Sequence, residues 1–124
     1  MHLLLDTNIA IGLTGSSTSL HSAIIASLQN PENTVWISVA SIWEAEIKRR
    51  LGKLIVPDGI WDELTARGFK ELTITRRHAI AAANLPELHK DPFDRLLVAQ
   101  ALLEGMTLVT RDRLLSAYGV PVAG

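Results

Sequence analysis

Three short runs, Leu3-Leu4-Leu5, Val35-Trp36-Ile37 and Thr107-Leu108-Val109, are separated by stretches with helical periodicity. A strand covered on both faces reads as a continuous apolar run, and strands that alternate with helices pair in parallel beneath crossovers. The alternation therefore predicts an α/β chain. It has three layers, α/β/α, around a central, mostly parallel sheet of about five short strands, two of them expected at 71–74 and 119–122. Helices are expected at 9–13, at 20–28 with Leu20, Ile24 and Leu28 four residues apart, and at 39–51 behind the N-cap Ser38. In the last of these Trp43, Ile47 and Leu51 form the expected buried stripe. Further helices are expected at 58–66, 77–85 and 113–118. Asp91-Pro92-Phe93-Asp94 opens another that runs to Gly105, with Asp91 as N-cap and Pro92 at the first helical position. The small-residue stretch 14–19 is expected to be a loop.

A chain of 124 residues suits one domain spanning 1–124, and 48% hydrophobic against 20% charged residues can build a core. The absence of cysteine excludes a disulfide framework, a zinc ribbon and a thiol nucleophile. No apolar run approaches the roughly 18 residues a membrane span needs, and Asp6 follows Leu5 too soon for a signal peptide. A cytoplasmic protein is the expectation. Twelve basic against thirteen acidic residues give no bulk reason to expect nucleic acid. Setting four of those acids on metal turns the balance positive, so overall charge decides little.

Ligands of open parallel sheets bind at the carboxyl ends of the strands, where strand order reverses. Asp6 directly follows the first strand and Asp112 follows the run 107–109 by three residues. Glu44 lies about two turns into the helix after the second strand, and Asp94 in the first turn of the helix before the fourth. Four carboxylates can thus meet at one sheet edge. Empty, such a cluster is costly, because like charges raise one another's pKa. Hard divalent cations, Mg²⁺ or Mn²⁺, suit an all-oxygen set. Two such ions about 3.5–4 Å apart can activate a water and stabilise the leaving oxygen of a phosphodiester. Each acid alone has an ordinary structural explanation: Asp6 as a helix cap, Glu44 as the i,i+4 partner of Lys48, Asp94 as the third residue of a capped helix, Asp112 as a turn residue.

The segments Leu3-Leu4-Leu5-Asp6-Thr7-Asn8, Ile37 to Lys48, His89 to Ala101 and Leu108-Val109-Thr110-Arg111-Asp112, in that order, make the chain resemble the PIN-domain ribonucleases. The resemblance is specifically to VapC-like toxins of type II toxin–antitoxin pairs, and it covers essentially the whole chain. It implies a metal-dependent endoribonuclease whose acids carry over to Asp6, Glu44, Asp94 and Asp112, with Mg²⁺ or Mn²⁺ as cofactor. It places the family's small hydroxyl residue at Thr110 and leaves Thr7 and Asn8 in supporting roles. It also implies an RNA substrate, a homodimer and a cognate antitoxin.

Cations should rim an acidic pocket that holds RNA. Arg95 and Arg111, beside Asp94 and Asp112, are the expected phosphate contacts, whereas 48–53 reads as a solvated helix face. Trp43 and Trp61 suit a core or a dimer interface better than base stacking. His2, His21, His78 and His89 lack metal-ligand spacing and read as incidental. Two alternatives stay open: a PIN-like module that binds metal, RNA or protein without cutting, and a phosphoacceptor domain using Asp6 as nucleophile. The latter lacks a lysine after Lys90 and has Asn8 where the phosphatase pattern needs a second aspartate.

Overall fold

The computed structural model describes residues 1–13 and 20–124, so the expected loop at 14–19 lies outside the described residues. The elements run β1 (His2–Leu5), α1 (Thr7–Gly12), α2 (Ser22–Gln29), β2 (Thr34–Ser38), α3 (Val39–Arg50), α4 (Ile60–Ala66), β3 (Lys70–Leu72), α5 (Arg76–Asn84), α6 (Pro92–Glu104) and β4 (Thr107–Val109). A 3-10 helix at Arg113–Tyr118 and β5 (Val122–Ala123) complete the chain. All strands are parallel, in the order β3-β2-β1-β4-β5. This is the α/β/α arrangement expected from the alternation. Strand order reverses between β1 and β4, whose register pairs Leu5 with Val109.

β1 shows why the apolar runs are continuous. Leu3 and Leu5 enter one core with Ile9, Ile24, Ile37 and Leu64, while Leu4 enters the opposite core with Leu97, Leu108 and Leu115. Side chains alternate across a strand, so a sheet covered on both faces needs apolar residues at every position. Each fully buried leucine contributes about 1.5–3 kcal/mol.

Helix boundaries follow their caps. Asp6, Ser38, Thr75 and Asp91 each accept a backbone N–H at the start of their helices, and Gly105 closes α6 in the left-handed region at φ 68°. Two strand boundaries shift. β3 pairs only over Lys70–Leu72, because Thr75 is already committed to the capping box of α5, and β5 begins at Val122 after Gly119 ends the 3-10 helix.

One expectation is overturned. Trp43, Ile47 and Leu51 are 59%, 37% and 61% exposed. The face of α3 that packs inward is made of Ala40, Ser41 and Ala45, whose small side chains let the helix lie close to its neighbours. The i,i+4 apolar stripe is real but faces outward, a pattern that periodicity alone cannot distinguish from core.

Candidate active site

The strand ends build the inner half of the site. Asp6 prolongs β1: its N–H donates to the Val109 carbonyl at 2.9 Å, and the residue is 6% exposed. Its Oδ1 accepts the Ile9 N–H at 2.8 Å, capping α1. The cap and the site therefore share one carboxylate. Thr110, one residue past β4, is buried and held by its N–H to the Ala123 carbonyl at 2.8 Å. The Thr110 hydroxyl bonds the Asp6 carboxylate, and its Oγ1 accepts the Asp112 N–H at 3.0 Å. Burial raises the Asp6 pKa; Thr110, the Ile9 N–H and the charge of Arg111 oppose the shift, and the charge of Glu44 adds to it.

Helices supply the outer half. Ser41 approaches α1 closely enough for the Thr7 hydroxyl to reach its Oγ at 3.1 Å, both residues buried, which fixes α3 beside the end of β1. Glu44, one turn further on, has its side chain 13% exposed, with Lys48 Nζ at 3.3 Å from Oε2. It is thus both an i,i+4 partner and a member of the cleft, for its charge acts on Asp6 and on Asp94. Asp91 accepts the N–H groups of Phe93 and Asp94 and so starts α6 as expected. Asp94 is pushed up to about 6, first by burial, then by the charge of Asp91, with Asp6 and Glu44 adding and His89 opposing. Trp43 and Phe93, the residues before Glu44 and Asp94, meet edge to face with ring centroids 5.3 Å apart. This contact couples the two helices next to their acids. Asp112 accepts the Leu114 N–H at 3.1 Å through Oδ1, and its Oδ2 lies 3.4 Å from His89 Nε2.

Asp94 and Asp112 thus come within ligand range of one another beside His89, and Asp6 and Glu44 lie near enough for their charges to act on Asp94. Of the supporting residues, Thr7 and Thr110 are buried in hydrogen bonds, whereas Asn8 is exposed. Arg111 is exposed, and its charge reaches Asp6. Arg95 is a correction. Its guanidinium donates to the carbonyls of Ala82, Leu85 and Pro86 at 2.9 Å each, with Ala83, His89 and the Tyr118 hydroxyl at 3.4–3.5 Å. It closes the C-terminal end of α5, where unpaired carbonyls need donors, and is not left free for phosphate.

His89 is the residue that sequence reasoning missed. It stands with Asp94 and Asp112 in a group whose ligand atoms lie within 4.8 Å of one another. Its signal was position, two residues before an N-cap, rather than ligand spacing. The basic run behaves as expected of a solvated face: Lys48 pairs with Glu44, and Arg49 pairs with Glu46 and Asp58.

The donor set suits a hard cation. It consists of carboxylate oxygens, and Asp6 and Asp94 carry an ionisation cost that a positive ion would remove.

Comparison with known proteins gives the family and the fold. The PIN domain family profile matches residues 3–121. Ribonuclease VapC22 of Mycobacterium tuberculosis is 30% identical over 125 residues, covering 96% of this chain and 93% of that protein. Among solved structures, DNA-bound VapBC from Salmonella typhimurium superposes with a TM-score of 0.72 at 18% identity, covering 99% of this chain and 97% of that one. A toxin–antitoxin complex from Klebsiella pneumoniae gives 0.66 at 24% identity, covering 98% and 96%. At these identities the two structures attest the fold.

Proposed function

This chain belongs to the PIN-domain family, and on that premise we propose that it is a metal-dependent endoribonuclease, the toxin of a toxin–antitoxin pair. The observation that supports the reading is the placement of Asp94 and Asp112 at ligand range beside His89, with Asp6 at the end of β1 and Glu44 on α3 close enough for their charges to act on Asp94. A divalent cation bound there, Mg²⁺ or Mn²⁺, supplies the Lewis acidity that activates water and offsets charge on a phosphodiester. The chain's own residues do the rest. Asp6, Glu44, Asp94 and Asp112 would hold the cation. Thr110 fixes the rotamer of Asp6 and, through the Asp112 N–H, the approach of the fourth acid. Thr7 sets the distance of α3, and Asn8, exposed two residues after Asp6, offers a further polar contact. Arg111 offers positive charge to the RNA backbone at the mouth of an otherwise negative cleft.

The relatives support the partner assignment, since the similar solved structures include toxin–antitoxin complexes. The outward apolar stripe Trp43-Ile47-Leu51 supports a protein interface, and we assign it to a homodimer or to the antitoxin. Among the described residues no helix is long and apolar enough to cross a membrane, and we place the enzyme in the cytoplasm.

The test is cleavage of RNA by the purified protein with Mg²⁺ or Mn²⁺. Activity lost in EDTA and in Asp6→Ala and Asp94→Ala is the expected result. Unaltered cleavage by either variant contradicts the reading.

A further inference from the structure

His89 is held by the same turn that starts α6. Its Nδ1 accepts the Asp91 N–H at 3.2 Å, and its carbonyl receives Arg95 at 3.4 Å and the Tyr118 hydroxyl at 3.5 Å. A backbone N–H can only donate, so Nδ1 bears a lone pair and the neutral ring carries its proton on Nε2. That Nε2 faces Asp94 Oδ2 at 3.6 Å and Asp112 Oδ2 at 3.4 Å. A ligating Nε2 would need the other tautomer, which sets the Nδ1 proton against the Asp91 N–H across the same 3.2 Å. His89 is therefore poorly arranged as a metal ligand, although it sits among residues that look like a ligand set.

We propose that His89 is a positioning residue that competes with the cation: its Nε2–H stands between Asp94 and Asp112 at ion-pair distance when no metal is bound and must yield when metal enters. The proposal rests on the acid quartet holding a divalent ion. A protonated nitrogen has no lone pair for a cation and turns the positive end of its N–H dipole toward the oxygens the cation uses. The metal-free rim is then held together without an ion, and metal uptake is weakened by the competition. A neutral imidazole suffices.

Two substitutions separate the roles of the ring. In His89→Asn the side-chain oxygen takes the place of Nδ1 and keeps the Asp91 N–H satisfied, while the donor toward the acids is lost. In His89→Gln the amide nitrogen reaches the place of Nε2 and restores a donor. Mn²⁺ binding to the purified full chain, read by titration calorimetry, should tighten about 2- to 10-fold in His89→Asn, the value of one weak polar competitor, and return toward wild type in His89→Gln. Nitrogen NMR of the metal-free protein should show His89 protonated at Nε2 and unprotonated at Nδ1. Thermal melting in EDTA checks that both variants fold. Equal or weaker Mn²⁺ binding by folded His89→Asn, or a proton on Nδ1, overturns the role of His89 while leaving the quartet intact. Failure of the wild type to take up Mn²⁺ overturns the quartet itself, and this inference with it.

Discussion

Asp6 and Asp94 are both carboxylates whose ionisation is opposed by burial, yet one is fastened to the sheet and the other stands on a helix turn. Asp6 continues the β1–β4 ladder through its N–H and is gripped by Thr110 and the Ile9 N–H. Asp94 has the Asp91 cap beneath it and His89 and Glu44 beside it, and its side chain keeps partial access to solvent. The inner half of the cleft is preorganised by backbone pairing, and the outer half is balanced by charge. On the proposed metal site, a fixed inner acid would give a cation one invariant ligand, while a titrating outer acid would let cation and proton compete for the same place.

The most severe break in this contrast is removal of either acid. Asp6→Asn and Asp94→Asn should each lower RNA cleavage more than about 100-fold, beyond the 10- to 100-fold range usual for residues one shell away from a metal. The pair should differ in stability. Both should be stabilised in EDTA by loss of a costly charge, Asp6→Asn by less, because the exchange also disturbs the Thr110 and Ile9 bonds that partly offset the cost at Asp6. Equal stability shifts, read by urea denaturation, would erase the distinction between the halves.

Next in size is the exchange of roles between two arginines. Arg95→Ala should cost about 2–3 kcal/mol of stability, because it leaves several carbonyls at the end of α5 without a donor. Arg111→Ala should weaken RNA binding and lower the salt slope of that binding by about 1. The opposite pattern would return Arg95 to the phosphate-binding role its sequence neighbours suggest.

Thr110→Val sharpens the account of the inner half. It keeps shape but removes the hydroxyl that bonds Asp6 and accepts from Asp112, and should reduce cleavage about 10- to 100-fold while the protein stays folded. Unchanged activity would mean that backbone pairing alone positions Asp6.

The smallest effect is on pH. The folded-state pKa of Asp94 lies near 6, above its ordinary 3.8, so the folded protein holds a proton that the unfolded chain releases. The resulting stability is complete below about 3.8 and is lost as pH rises through about 6. Asp6 contributes with the same sign. Partial exposure of Asp94 screens the effect to about 1 kcal/mol. Denaturation in EDTA between these pH values should show the decline, and Asp94→Asn should flatten it.

Much of this arrangement was legible in the sequence. Caps at Ser38 and Asp91 and the continuous run Leu3-Leu4-Leu5 fix element type locally, and the positions of Asp6 and Asp112 after adjacent strands place them at a sheet edge once the sheet is parallel. What periodicity could not carry was direction. The stripe Trp43-Ile47-Leu51 has the spacing of a core face, but Ala40, Ser41 and Ala45 offer a smaller face that packs closer, and the larger stripe is left outside. Arg95 and His89 failed for a related reason. Each has neighbours in the cleft, but its own contacts are set by tertiary geometry: the open carbonyls of α5 for Arg95, the turn before α6 for His89.

Anomalous diffraction from crystals grown with Mn²⁺ tests the convergence of the acids most directly. A manganese peak within coordinating distance of Asp6 and Asp94 is the predicted result. Crystals of an RNA-cleaving protein with manganese bound elsewhere, and these carboxylates bare, would contradict it.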